Sequence, residues 1–364
     1  MTVTAAFDVG PLAGRLTGIG HAVAALQQAL DSRTDITLAP YRISFRTRPE
    51  SGVRRLPLPA GAAHRSWQRL PVPRVDRWLG PADLIHGTNY VVPPSRLPRL
   101  VSVYDCWFLL HPERAHPTVV RAGRVLRRAI ADGAVVHTSS HATAIVMREL
   151  FPAAAVHTVH LGALPLATEA TAMPPPIAEL DGTPFVVSVA TLERRKNLPR
   201  LVQAFAMVAA AHPTLRLVLA GGESDDSAAV HAAIDALPHA VSDRVLLTGY
   251  VDDHVRSWLM HHATVVAYPS LDEGFGFPLL DAMQAGTAIV ASTAGSIPEI
   301  AGDAARLVPP HDVEALAHAL TDVVGDADAR TRLIAAGAQR WQEFTWQATA
   351  DGIATLYHQL VGGR

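Results

Sequence analysis

Short apolar runs rich in β-branched residues alternate with helical stretches along almost the whole chain, and the alternation lapses once, at three consecutive prolines. In the first half, a strand-like run over Val3–Val9 ends at Asp8-Val9-Gly10-Pro11, and Thr17–His21 then opens a helix over Ala22–Leu30. Further strands are expected at Leu84–His86, Leu100–Val103, Ala134–Thr138 and Val156–His160, with helices over Val119–Ile130 and Ala142–Leu150. Such alternation demands parallel βαβ units in a doubly wound, Rossmann-like sheet. Pro174–Pro176 can continue neither a helix nor a central strand, so residues 166–183 read as a linker. A second series follows, with strands at 185–190, 215–220, 244–248, 264–268 and 288–291. Its helices run over 198–211, 227–236, 252–260, 278–285, 312–325 and 327–343. The expected fold class is α/β: two Rossmann-like domains, 1–165 and 184–343, facing across a cleft, with 344–364 packing back toward the first. Ligands of such sheets bind at the carboxyl ends of the strands.

Bulk properties narrow the chemistry. A chain of 364 residues exceeds what one hydrophobic core usually serves, and 49% apolar residues supply two. A formal net charge of -2 argues against bulk nucleic-acid binding. Cys106 is the only cysteine, which excludes an internal disulfide and a cysteine zinc cluster. His261-His262 has no partner at ligand spacing, so no metal is expected. The start MTVTAAFDVG lacks a signal-peptide pattern, and no run of about 18 apolar residues occurs, so the expectation is a cytoplasmic protein.

Lys196 is the only lysine among 31 Lys and Arg residues. It sits in FVVSVATLERRKN, where an apolar run breaks into a turn before a helix. A compact ammonium beside an Arg fork suits a diphosphate; a solvated turn lysine is the plain alternative. In Tyr268–Asp281, YPSLDEGFGFPLLD, the chain leaves a strand, passes Gly274 and Gly276, and enters a helix opened by Pro278. The glycines permit close backbone approach, and the helix start offers free N–H groups to an anion or a polyol. Glu273 and Asp281 can each accept two hydroxyl hydrogen bonds, as a vicinal diol requires. Asp281 could equally serve the helix dipole alone.

The segment resembles the E-x7-E signature of retaining, nucleotide-sugar-dependent glycosyltransferases of the GT-B fold, in glycosyltransferase family four, with a mannosyltransferase-like character. Asp8–Leu12 with Thr17–Gly20, Asp83–Tyr90 (DLIHGTNY), Thr191–Asn197 (TLERRKN), Gly249–Val251, Gly295–Ile300 (GSIPEI) and Phe344–Trp346 match the family's other motifs in order. The resemblance implies that Glu273 contacts the donor hexose and that Asp281 holds the nucleotide ribose. It implies that Arg195 and Lys196 clamp the diphosphate and that backbone N–H groups of Gly274, Phe275, Gly276 and Phe277 lie against sugar and phosphate. Tyr250 and Val251 would edge the base pocket, and Gly18 and Gly20 would let the N-terminal loop approach the phosphates. Asp105 is a candidate for positioning a sugar or acceptor hydroxyl, or else a turn residue. A nucleotide-sugar donor and a glycan or lipid-linked acceptor are the implied partners, with no cofactor and no metal. The chain departs from the pattern at Asp281, a shorter carboxylate than Glu, at Tyr104, where many members have His, and at Thr191, where some have Arg. These changes keep open a catalytically silent, nucleotide-sugar-binding scaffold; a GT-B epimerase or phosphorylase shares the architecture.

Residues 41–78 hold Arg42, Arg46, Arg48, Arg54, Arg55, Arg65, Arg69, Arg74 and Arg77, with Trp67 and Trp78 among them. The stretch reads either as a site for anionic lipid headgroups or a lipid-diphosphate acceptor, in peripheral contact with the inner face of the plasma membrane, or as a solvated, Arg-rich loop.

Overall fold

The computed structural model describes residues 2–14, 16–45, 50–167 and 177–363. Pro174–Pro176 of the expected linker, and Arg46 and Arg48, lie outside the described residues. The chain divides into two compact units: Met1–Gly162 with Phe344–Arg364, and Ala163–Glu343.

Unit one is built on a parallel sheet of β1 (Val3–Asp8), β2 (Ile36–Ile43), β3 (Arg54–Leu56), β4 (Leu84–Gly87), β5 (Arg99–Val103), β6 (Val135–Thr138) and β7 (Val156–Thr158). Their order is β3-β2-β1-β4-β5-β6-β7. Alternation along β1 feeds two cores. Val3, Ala5 and Phe7 pack with Val23, Leu26 and Leu30 of helix Gly18–Asp31 and with Ile353 and Tyr357 of helix Trp346–Gly362. Ala6 lies on the other face, in a core with Val125, Leu126 and Ala129 of helix Pro117–Ala131.

One polar chain crosses the buried sheet. The Tyr357 hydroxyl lies 2.7 Å from His86 Nδ1, His86 Nε2 lies 2.8 Å from Ser102 Oγ, and that oxygen lies 2.9 Å from His137 Nδ1. His137 Nε2 must donate to the Val159 carbonyl at 3.0 Å, so Ser102 donates to His137, His86 to Ser102 and Tyr357 to His86. Both imidazoles are then neutral, and burial pushes both pKa values down, that of His137 to about 4.

Unit two holds a parallel sheet of β8 (Phe185–Val189), β9 (Arg216–Ala220), β10 (Val245–Gly249), β11 (Val265–Tyr268), β12 (Ile289–Ser292) and β13 (Ala305–Val308), in the order β10-β9-β8-β11-β12-β13. Helices Leu198–Ala211 and Val313–Gly325 cover one face through Leu201, Phe205, Leu316 and Leu320. Strand order reverses between β8 and β11, as it does between β1 and β4 in unit one, and such switch points are where open sheets leave room for ligands.

The sequence reading omitted β2, β3 and β13. It also offered a solvated, Arg-rich loop for 41–78, which the structure corrects: the stretch holds the end of β2, β3 and helix Ala60–Trp67. Tyr41 ends up buried on β2, Leu56 on β3, and helix Ala60–Trp67 turns Trp67 into the core, where its Nε1 donates to the Pro73 carbonyl at 3.1 Å. The arginines dominate the composition there, but the few apolar side chains decide the fold.

Candidate functional site

After β8 the chain makes a tight turn over Arg194–Lys196, closed by Asn197 in a left-handed conformation (φ 60°) that also opens helix Leu198–Ala211. Asn197 is buried, and its side-chain amide donates to the carbonyls of Pro269 at 2.9 Å and Pro310 at 2.7 Å. It therefore ties the loops that follow β8, β11 and β13 together. The Leu271 N–H adds a 2.7 Å bond to the Arg195 carbonyl.

This bracing sets the carboxylate of Glu273 between two cations. Lys196 Nζ lies 2.7 Å from Oε1 and Arg195 Nη1 lies 2.6 Å from Oε2. Glu273 is 6% exposed. Burial alone would raise its pKa, but Lys196 and Arg195 outweigh that and bring it down to about 2. Arg195 also donates to the Asp272 carbonyl at 3.2 Å and pairs with Glu193 at 3.3 Å. The Lys196 ammonium stands 5.3 Å from the Tyr268 ring centroid.

The following loop is fixed from behind. Gly295, at φ 55°, has no room for a side chain: a Cβ would lie 2.5 Å from the Glu273 carbonyl oxygen. Ser296 donates from its N–H to that carbonyl at 3.0 Å and from its hydroxyl to Phe275 O at 2.8 Å. Gly276, at φ 111°, caps helix Phe277–Gln284 with Pro278 in the first turn. Phe275 itself is buried edge-on against Phe277, ring centroids 5.3 Å apart, between the two glycines Gly274 and Gly276.

Asp281, four residues into that helix, is also buried. Its Oδ2 pairs with Arg256 at 2.5 Å, while Oδ1 is buried with no hydrogen-bond partner among the described residues. Burial raises the Asp281 pKa to about 6 despite Arg256. A ligand hydroxyl would satisfy Oδ1, and the buried pair is otherwise incomplete. Tyr250, 62% exposed, and half-buried Val251 follow β10. Arg256 was missed by the sequence reading because it also pairs with Asp253 at 3.4 Å, three residues away, and so reads locally as an ordinary helix-surface residue.

In unit one, Gly18 and Gly20 open helix Gly18–Asp31, whose cap Thr17 accepts from the Gly20 N–H at 3.3 Å. Both oxygens of Asp105 already accept bonds, from Tyr90 Oη at 2.8 Å and from the Trp107 N–H at 3.1 Å, so it organises its own turn. Tyr104 is 7% exposed, and burial drives its phenol well above the ordinary range. Around it the sequence reading missed a cluster. Tyr41 Oη, Arg42 Nε, Asn89 Oδ1 and Tyr104 Oη are all buried without a hydrogen-bond partner among the described residues. They sit at or just beyond the carboxyl ends of β2, β4 and β5, flanking Asp8 at the end of β1. Burial raises the Asp8 pKa to about 7 against the Gly10 N–H and Arg42.

Residues 170–340 match the family described as glycosyl transferases group 1. O-antigen chain mannosyltransferase B of Escherichia coli is 29% identical over 177 residues, 48% of this chain and 46% of that protein. Phosphatidyl-myo-inositol mannosyltransferase of Mycolicibacterium smegmatis is 31% identical over 173 residues, 47% and 43% of the two. The chain thus spans under half the length of these curated relatives. Among solved structures, sucrose-phosphate synthase of Thermosynechococcus elongatus superposes with a TM-score of 0.72 at 20% identity, covering 100% of both chains. Anabaena HepE in complex with UDP-glucose gives 0.68 at 18% identity, covering 97% of this chain and 99% of that one. These likenesses show the fold, which is GT-B. No helix among the described residues is long and apolar enough to cross a membrane.

Proposed function

We propose, from the glycosyl transferases group 1 region that it carries, that this chain is a retaining hexosyltransferase using a nucleotide-diphosphate sugar and a glycan or lipid-linked acceptor, without a metal ion. The observation that carries the reading is the Glu273 carboxylate held by Lys196 and Arg195 where β8 and β11 end. A carboxylate kept ionised and immobile accepts hydrogen bonds from sugar hydroxyls at a fixed position. Lys196 has N–H donors beyond the one it gives Glu273, a surplus of donors on a turn where Arg194, Arg195 and Lys196 stand among Glu193, Asp225 and Glu273. That surplus stabilises the charge that builds on the leaving diphosphate.

Asp281 Oδ1 takes a ribose hydroxyl, backbone N–H groups of Gly274 to Phe277 face sugar and phosphate, and Tyr250 with Val251 edges the base. In unit one, Gly18 and Gly20 let the backbone approach a phosphate closely, while Asp105, with both oxygens engaged by Tyr90 and Trp107, holds its turn. Glu273 and Asp281 grip hydroxyls, so neither is assigned as a nucleophile. The acceptor oxygen attacks on the face from which the diphosphate leaves, a departing phosphate oxygen takes its proton, and configuration is retained. Mannose is the first hexose to test, because both relatives named above are mannosyltransferases.

The test is a thermal-shift screen against UDP-, GDP-, ADP- and dTDP-sugars, followed by transfer assays with and without EDTA and NMR of the product's anomeric configuration. Retention and an EDTA-insensitive rate are expected; inversion or loss of rate in EDTA overturns the mechanism. Donor binding without turnover on a verified acceptor would favour the scaffold reading, which Asp281 in place of Glu supports.

A further inference from the structure

Away from these strand ends, unit one carries a second charged feature that sugar transfer does not use. Helix Pro117–Ala131 buries Val125, Leu126 and Ala129 and turns Arg124, Arg127 and Arg128 outward. The segment after helix Ala60–Trp67 lies against it, because Arg128 Nη1 donates to the Arg69 carbonyl at 3.1 Å. Between the two is a cavity of about 420 Å³ lined by Gln68, Arg69, Arg124, Arg127 and Arg128. The helix joins β5 to β6 and runs antiparallel to them, so Arg124–Arg128 in its second half lie toward the amino ends of the strands, the edge opposite Asp8 and Asn89.

The charge here is not balanced. Arg128 pairs with Asp132 at 2.8 Å, and the guanidinium of Arg127 lies over the Phe151 ring at 5.2 Å. Arg69, Arg124 and Arg127 form no ion pair among the described residues. A helix carboxyl end favours one cation such as Arg128, but like charges gathered round one cavity repel each other unless an anion enters. Gln68 lines the same cavity, and its buried Oε1 has no hydrogen-bond partner among the described residues, an acceptor that a ligand hydroxyl would satisfy. Leu70 and Val72, which follow Arg69 in the chain, are 58% and 48% exposed.

We propose that this cavity is a phosphate site, taking a mono- or diphosphate group borne by a larger hydroxylated molecule. Guanidinium forks match phosphate oxygens in pairs, and the volume admits the group with part of its carrier. A lipid headgroup and a soluble phosphate ester offer the same chemistry; exposed Leu70 and Val72 suit the first. The inference goes beyond glycosyl transfer and stands or falls independently of it.

Two arms test it with the full chain. The first is co-sedimentation with phosphatidylcholine vesicles containing phosphatidylglycerol or none. The second is titration with inorganic pyrophosphate in the Lys196→Ala background, which removes the donor-site lysine. Binding to the anionic vesicles alone assigns a lipid source, and binding of pyrophosphate alone a soluble one. In either arm Arg124→Glu/Arg127→Glu should weaken binding roughly tenfold or more, the milder Arg124→Gln/Arg127→Gln less, with nucleotide-sugar thermal shifts unchanged. If neither probe binds, or if these variants bind as the parent does, the site is overturned.

Discussion

Glu273 in unit two and the cluster beside Asp8 in unit one are provisioned in opposite ways, while Asp281 Oδ1 in unit two is left open like the latter. In unit two the key carboxylate has its charge answered from within, by Lys196 on one oxygen and Arg195 on the other. In unit one Tyr41, Arg42, Asn89 and Tyr104 each keep a buried polar atom with no answer in the described protein. A site satisfied internally is rigid before its ligand arrives, whereas one with unanswered groups leaves that role to the ligand or to water.

The largest effect should come from breaking the internally answered side. Glu273→Gln should lower transfer at least about 100-fold and, by leaving two cations without a counter-charge, also lower folding stability by about 1–3 kcal/mol; kinetics and denaturant melts measure both. A variant that loses only activity would mean that the ion cluster does not brace unit two. Next, Lys196→Ala should raise the donor dissociation constant about tenfold and slow transfer with it, read by calorimetry beside steady-state rates. Unchanged donor affinity would remove the lysine from the diphosphate.

The two carboxylates of this site should also respond to pH with opposite sign. The folded pKa of Glu273 is depressed, so its stabilisation is present above its ordinary value near 4.5 and is lost as pH falls toward 2. That of Asp281 is raised, so the folded state keeps a proton that the unfolded chain releases, and stability falls as pH rises from about 4 to about 6. Asp281→Asn should abolish that second slope in melts run across the window and weaken nucleotide binding about tenfold. The smallest effect sharpens the contrast from the other side. Tyr104→Phe removes a buried hydroxyl whose approach to Ser102 falls short of a geometric hydrogen bond, so stability should change by less than about 1 kcal/mol while the acceptor KM rises severalfold. A large stability loss would show that the hydroxyl is already satisfied.

The βα alternation, the two sheets and the two segments that carry Lys196 and Glu273 were legible because each is written locally, as a period, a turn or a glycine loop, whereas the pairing of that lysine with that glutamate, 77 residues apart, was not read. Strand β2 was hidden by Pro40 inside it, and β3 by the adjacent Arg54 and Arg55. Arg256 was illegible as the partner of Asp281 because its nearer partner, Asp253, explains it equally well. The unpartnered cluster in unit one could not be read at all. It is assembled from strand ends far apart in sequence, and its defining property is a missing hydrogen bond, which no spacing encodes.

The buried chain from Tyr357 through His86 and Ser102 to His137 has a consequence in time as well as in space. Unit one is interrupted after Gly162 and resumes at Phe344, so its sheet waits for helix Trp346–Gly362 to supply Ile353, Tyr357 and the first donor of that chain. Fully burying one large apolar side chain is worth roughly 1.5–3 kcal/mol. During synthesis, therefore, the unit begun first is the unit finished last, and Ala163–Glu343 can close its own core while its neighbour still lacks a helix.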